Sequence, residues 1–174
     1  KRLQPFDTLW VEGPMGRSIA DVALMLDAGA GHVSNDPLSF EPAIESYVAV
    51  LKEARLPSRI AFSNDLGVVP VAKDVANVTE IAIKQLASQG IDITDDIPDF
   101  TGILDAFHTL RAVLLGTMMG ELLETCRDRI SEDIVKNIER GFTVTPEDLF
   151  QAERLRWKLA QQMAEFFKTH DLLL

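Results

Sequence analysis

A chain of 174 residues with 47% apolar and 25% charged side chains is long enough to bury a sizeable core and too apolar to stay disordered. Its 27 acidic residues outnumber 17 basic ones, and the net charge of −10 repels phosphate backbones and anionic lipid, which excludes a general nucleic-acid or membrane-surface role. A single cysteine, Cys126, excludes an intrachain disulfide and argues against a cysteine-based metal site, while the longest apolar runs, such as Ala112 to Leu115, fall far short of the roughly 20 residues of a membrane span; both fit a reducing, cytoplasmic setting.

Lys1 to Pro5 is neither an initiator methionine nor an apolar targeting segment. Ser18 and Asp21 have the spacing of a capping box, in which the serine oxygen takes a backbone N–H and the acid returns a bond to the cap. Ile19, Val22, Ala23, Leu26 and Ala30 recur at helical spacing after it, closed by Gly29 and Gly31. Arg17 and Asp21 stand four apart and can pair on that helix. Residues 32 to 42 carry Asn35, Asp36, Pro37 and Pro42 and read as a loop, with a short helix expected from Ala43 to Glu53.

Arg59 to Ser63 is a short apolar run between Pro57 and the Asn64-Asp65-Leu66-Gly67 turn, so it reads as a strand. Val75, Val78, Ile81, Ala82 and Leu86 mark a helix from 72 to 89, ended by Gly90, and Ile91 to Thr94 alternates as a second strand. Strand, helix and strand in this order form a βαβ unit with parallel, buried strands and a right-handed crossover. From 101 to 169 the chain reads as helices: a stripe from Ile103 to Leu123 interrupted at Gly116 and Gly120, then a short helix capped by Ser131 and ending at Gly141. Thr145-Pro146-Glu147-Asp148 then opens a helix to about Lys168 with Leu149, Ala152, Leu155, Leu159, Met163 and Phe166 inside.

No catalytic constellation emerges from these residues alone. His32, His108 and His170 lack metal-ligand spacing and read as surface or packing residues. Ser18 comes after a glycine-rich stretch and opens a helix, where N–H groups could hold an oxyanion, but Arg17 cannot act as its base and the capping role already accounts for it. Asp95 with Asp96, and Glu121 with Glu124, read as solvated charge. Met118 and Met119, bracketed by Gly116 and Gly120, suit either an adaptable apolar pocket wall or an irregular core gap.

The stretch from Gly13 to Asp27, with Asp36-Pro37-Leu38-Ser39 after it, resembles the segment directly downstream of the Gly/Ser-rich signature in the amidase signature family. Arg59 to Gly67, Val75 to Gly90, Gly141 to Asp148 and Phe166 to Leu174 are similar to later blocks of the same family, in the same order. Gly16 stands where the family commonly has Ala. The Asp36 loop is closer to stand-alone amidases than to the A-type component of glutamyl-tRNA amidotransferase, which tends to have Asp-Ser-Thr-Ser there.

The resemblance implies an α/β fold, helix-rich, in which residues 1–174 form a single partial domain: an incomplete segment of a mixed sheet surrounded by helices. It implies amide hydrolysis by a serine nucleophile, a second serine after a cis peptide bond and a lysine relaying the proton, through an acyl-enzyme. In the family these three lie upstream of the position matching Gly13, so no catalytic residue is assigned to this chain, and the chain is expected to be incomplete and inactive alone. The resemblance also implies no cofactor, no metal, a small-molecule amide as substrate and no nucleic-acid or membrane partner, with homo-oligomerisation open. Phe107, Leu114, Met118 and Met119 are the candidate substrate-pocket residues. The alternatives are the A-type component of a glutamyl-tRNA amidotransferase and a noncatalytic scaffold or interaction module.

Overall fold

A computed structural model describes residues 6–174, so the reading of Lys1 to Pro5 lies outside the described residues. The chain divides into two compact units, one ending at Arg55 and the other running from Leu56 to Leu174.

In the first unit, α1 (Ile19–Gly29) begins at the expected capping box: Ser18 Oγ accepts the Asp21 N–H at 3.2 Å and the Asp21 carboxylate accepts the Ser18 N–H at 3.0 Å. Asp21 therefore serves the cap, the task its position in the first turn favours, with its Oδ2 turned to backbone instead of Arg17. The helix expected from Ala43 is shorter, with α2 (Tyr47–Val50) running into a 3₁₀ turn at Leu51–Glu53. Its start is fixed from outside: the Asp27 carboxylate accepts the Ser46 hydroxyl at 2.8 Å and the N–H groups of Tyr47 and Val48 at 2.5 and 3.3 Å. One acid at the end of α1 thus satisfies two of the orphan donors of α2, and Ser46 Oγ accepts a third, the Ala49 N–H, at 3.1 Å. Desolvation pushes the Asp27 carboxyl up, but the bonds from Ser46, Tyr47 and Val48 together outweigh it and hold the group below its usual range.

The second unit holds a three-stranded parallel sheet in the order β2, β1, β3, with β1 Arg59–Ala61, β2 Asp92–Thr94 and β3 Leu172–Leu173. Arg59 lies opposite Asp92 and Ala61 opposite Thr94, while Ile60 lies opposite Leu172. The two expected strands therefore pair directly and in parallel. Burial on both faces holds only at the centre, where Ile60 and Ala61 are 1% and 0% exposed; β2 and β3 are edges and more open. Between β1 and β2 runs α3 (Lys73–Ala87), ended by Gly90 with φ +89°, a left-handed conformation that costs glycine nothing. It meets β2 but buries no residue of its own, and Val75, Val78 and Ile81 are exposed.

The helical half is built on α4 (Ile103–Met119), which packs against both α6 (Glu132–Thr143) and α7 (Pro146–Phe166) after the short α5 (Leu122–Cys126). Two expected breaks are absent: α4 runs through Gly116, and α6 runs through Gly141 to Thr143. The glycines serve contact between helices. A methyl on Gly141 would strike the Ala112 carbonyl oxygen and lie 2.9 Å from its carbon, and one on Gly116 would lie 3.7 Å from Gly141 Cα. Gly120 does close α4, and there a methyl would come within 2.8 Å of the Phe142 ring. Around this close crossing lie Ala112, Leu115, Val135 and Ile138, all buried. Ser131 stands at the start of α6 without a side-chain capping bond. Thr145 caps α7 as expected, accepting the Asp148 N–H at 3.2 Å, with Pro146 in the first turn and the six expected inner positions all buried or half-buried.

Candidate functional site

The four pocket candidates all lie on α4, and its geometry separates them. Seven and eleven residues bring an α-helix back close to the same side, so Phe107, Leu114 and Met118 share one stripe, whereas Met119 sits a third of a turn away. Leu114 is 4% exposed and belongs to the packed core, Phe107 is 41% exposed, and Met118 and Met119 are half-buried. Arg111 lies 6.0 Å over the Phe107 ring, a cation–π contact at the surface. The two cavities bordered by the first-unit loops and by the end of α7 include none of these four residues in their walls.

In the first unit, a cavity of about 700 Å³ is lined by residues that include Asp7, Trp10, Glu12, Asp36 and Phe40. Beside it Ser39 is fully committed to its loop: its hydroxyl accepts the Val33 N–H at 2.7 Å and faces the carbonyls of Asp36 and Val33 at 2.7 and 3.0 Å. His32 Nδ1, 3.4 Å from that oxygen, meets a hydroxyl already used for structure, so the pair is no activated nucleophile.

In the second unit, the buried polar residue is His170, 7% exposed, at the entry to β3. Its ring stacks parallel on Phe166 with centroids 4.3 Å apart. The Thr169 hydroxyl donates to the Phe166 carbonyl at 3.2 Å, so its oxygen is left to accept from His170 Nδ1 at 3.1 Å. That network assigns the proton to Nδ1, and Nε2 accepts the Thr94 hydroxyl at 3.1 Å. Asp96 Oδ2 stands 3.9 Å from the same nitrogen and 3.4 Å from Arg59 Nη2, while Asp92 Oδ2 lies 3.4 Å from Arg59 Nε. Asp96 is thus part of a network, beyond the solvated charge expected of it, and His170 packs as expected of it while also orienting its neighbours.

Next to this network opens a cavity of about 700 Å³ between the loop after β2 and the last turns of α7, walled by Asp96, Ile97, Pro98, Gln162, Glu165 and Phe166 among others. The sequence carries no local sign of it, because the loop after β2 and the last turns of α7 supply the walls from separate segments. The α7 wall is braced from outside by Lys158, whose Nζ lies 3.0 Å from Asp99 Oδ2; Asp99 is held far below the usual carboxylate range by hydrogen bonds to Thr101, first its hydroxyl and then its N–H, with Lys158 adding to them. Among the described residues no group of three or more His, Cys, Asp or Glu side chains is placed to hold a metal ion, and no helix is long and apolar enough to cross a membrane.

Comparison with known proteins places this architecture. The chain is 29% identical over 163 residues to an acylamidase of Rhodococcus erythropolis, an alignment covering 92% of this chain and 34% of that protein. An amidase of Pseudomonas putida is 25% identical over 93% of the chain and 35% of its own length. The A-type component of the glutamyl-tRNA(Gln) amidotransferase of Nitrosospira multiformis is 26% identical over 93% of the chain and 39% of its own length. The chain spans about a third of the length of these curated relatives. A bacterial aryl acylamidase of the amidase signature enzymes superimposes with a TM-score of 0.74 at 20% identity, over 92% of this chain and 35% of that one. The 6-aminohexanoate cyclic dimer hydrolase superimposes at 0.66 with 20% identity, over 88% and 34%. The helix-rich α/β fold with its small parallel sheet is therefore that of amidase signature enzymes, and since the Amidase family model matches residues 4–174, the chain belongs to the amidase family.

Proposed function

We propose that the whole protein hydrolyses a small carboxylic amide to an acid and an amine or ammonia, and that these 174 residues supply scaffold and pocket walls to it. The observation that carries this reading is the family match across residues 4–174. Alignment with an acylamidase and an amidase over more than nine-tenths of the chain supports it. In this reading the serine, second serine and lysine implied by the family come from sequence other than these residues, so the 174-residue chain is inactive alone. Two local observations agree: Ser18 Oγ is used as a helix cap, and Ser39 Oγ is used by its loop. The reaction would need no metal, and the single cysteine suits a cytoplasmic setting.

The test compares the 174-residue chain with the product of its whole reading frame on an anilide and a short aliphatic amide. Turnover by the whole protein that survives exhaustive chelation, with none from the chain alone, is the expected result. Turnover by the chain alone, abolished by Ser18→Ala, would overturn the assignment of roles. Amide release confined to glutamine and a charged tRNA would favour the amidotransferase reading instead.

A further inference from the structure

We propose that the peptide bond joining Arg55 to Leu56 is a cleavage site for an arginine-directed endoprotease, and that the cut leaves residues 56–174 folded. The bond lies where the first compact unit ends and the second begins. Residues 54–57 belong to no helix or strand; Ala54 and Arg55 are exposed, and Leu56 is 58% exposed. No described residue bonds to the backbone N–H or C=O groups of Arg55 and Leu56 or to the Pro57 carbonyl, and the Arg55 guanidinium meets no described acceptor.

An endoprotease takes its substrate as an extended strand, through hydrogen bonds to the substrate backbone, and selects arginine by pairing the guanidinium with a carboxylate in a pocket. Arg55 and Leu56 meet that demand without the loss of a native bond. Ala54 is already extended, with φ −57° and ψ 135°, and Pro57 steers Leu56 before it towards extended backbone. Both flanks are held: a 3₁₀ turn closes at Glu53, while Asp171 accepts the N–H groups of Ser58 and Arg59, and the Ser58 carbonyl accepts the Asp92 N–H at 3.0 Å. The open stretch is thus confined to a few residues around one arginine. Arg17 is the other described arginine outside helix, 3₁₀ turn and strand. It is a poorer target, because Ser18 and the residues after it would have to leave the capping box and first turn of α1.

The step is a hydrolysis with water as co-reactant. The bond from the Arg55 carbonyl carbon to the Leu56 nitrogen breaks, the water oxygen bonds to that carbon to give a carboxylate, and both water protons pass to the nitrogen to give an ammonium. What remains folded follows from where the core lies. Among the described residues, Ala23 is the buried apolar residue of the first unit, and the others, from Ile60 to Ala152, all belong to the second. Because β1 starts at Arg59, the three strands and the packing of α4 on α6 and α7 lie on one side of the cut. None of this depends on the reaction the whole protein performs.

The experiment digests the 174-residue chain with a trace of trypsin and follows intact masses over time, in buffer and in urea below the unfolding transition. The first products should be residues 1–55 and 56–174, with 56–174 persisting while 1–55 is cut further. Their rate of appearance should not change with urea, since cleavage of an already open segment needs no unfolding. Arg55→Gln should slow the first cut by roughly tenfold or more, with an unchanged melting temperature, whereas Arg17→Gln should leave it unchanged. A first cut elsewhere, a rate that climbs with urea below the transition, or loss of 56–174 as fast as it forms would each overturn the proposal.

Discussion

The Asp171 carboxylate accepts the backbone N–H of Ser58 at 2.6 Å across 113 residues of sequence, and the N–H of Arg59 at 3.0 Å with the same oxygen. Those bonds, Arg59 first and Ser58 next, hold its carboxyl below the ordinary value of 3.8. A depressed folded value stabilises the fold at every pH above the unfolded value and loses that contribution as pH falls through the lower, folded value. The wild-type melting temperature should therefore exceed that of Asp171→Asn near pH 7, and the gap should close on acidification below about pH 4. Parallel curves for the two proteins down to pH 2 would show that this carboxylate does not clamp β3 to β1.

Gly141→Ala pits two effects against each other. Alanine gains about 1 kcal/mol of helix propensity over glycine, but the new methyl enters the space of the Ala112 carbonyl, and overpacking of that kind costs about 3 kcal/mol. The clash involves backbone on both sides and should win, so a net loss of about 2 kcal/mol is expected by urea unfolding. At Gly29 an added methyl meets nothing within 4 Å, and Gly29→Ala should be neutral or slightly stabilising in the same assay.

Thr145→Ala removes the acceptor for the Asp148 N–H and the hydroxyl that meets the Asp148 carboxylate at 2.7 Å. A loss of about 1 kcal/mol is expected, the usual cost of an N-cap. Thr145→Ser should restore most of it, which separates capping from packing of the methyl group.

Met118→Ala tests the proposed pocket role of α4 in the whole protein. If Met118 selects substrate, kcat/KM should change unevenly across amides of increasing bulk, by up to about a hundredfold between extremes. A uniform change together with a lower melting temperature would place Met118 in the core with Leu114.

What could be read from the sequence was what neighbours along the chain decide. Ser18 with Asp21, and Thr145 with Asp148, are capping boxes within four residues, and both helices start where those pairs put them. The strands at Ile60 and Ile93 were legible because a helix of the right length separates them. Gly116 and Gly141 misled, since propensity marks a glycine as a helix breaker whereas here each clears space for a neighbouring helix. The cavity beside His170 was not legible, because its imidazole meets Thr94 across 76 residues and no motif spans that gap. The α4 pocket candidates remain a proposal: periodicity puts Phe107, Leu114 and Met118 on one stripe, but says nothing of what faces it.

The sheet order β2, β1, β3 has a consequence for handling the protein in solution. Each outer strand offers a row of backbone donors and acceptors on its open side, a template on which another strand can add. At short range such addition is favoured by the exposed Leu172 and Leu174. At long range it is opposed by the net charge of −10, whose reach is about 10 Å at 0.1 M salt and about 3 Å at 1 M. Colloidal stability of this chain should therefore decline as sodium chloride is raised from about 0.01 to about 0.2 M, a range over which a protein held apart by hydration alone would be little affected.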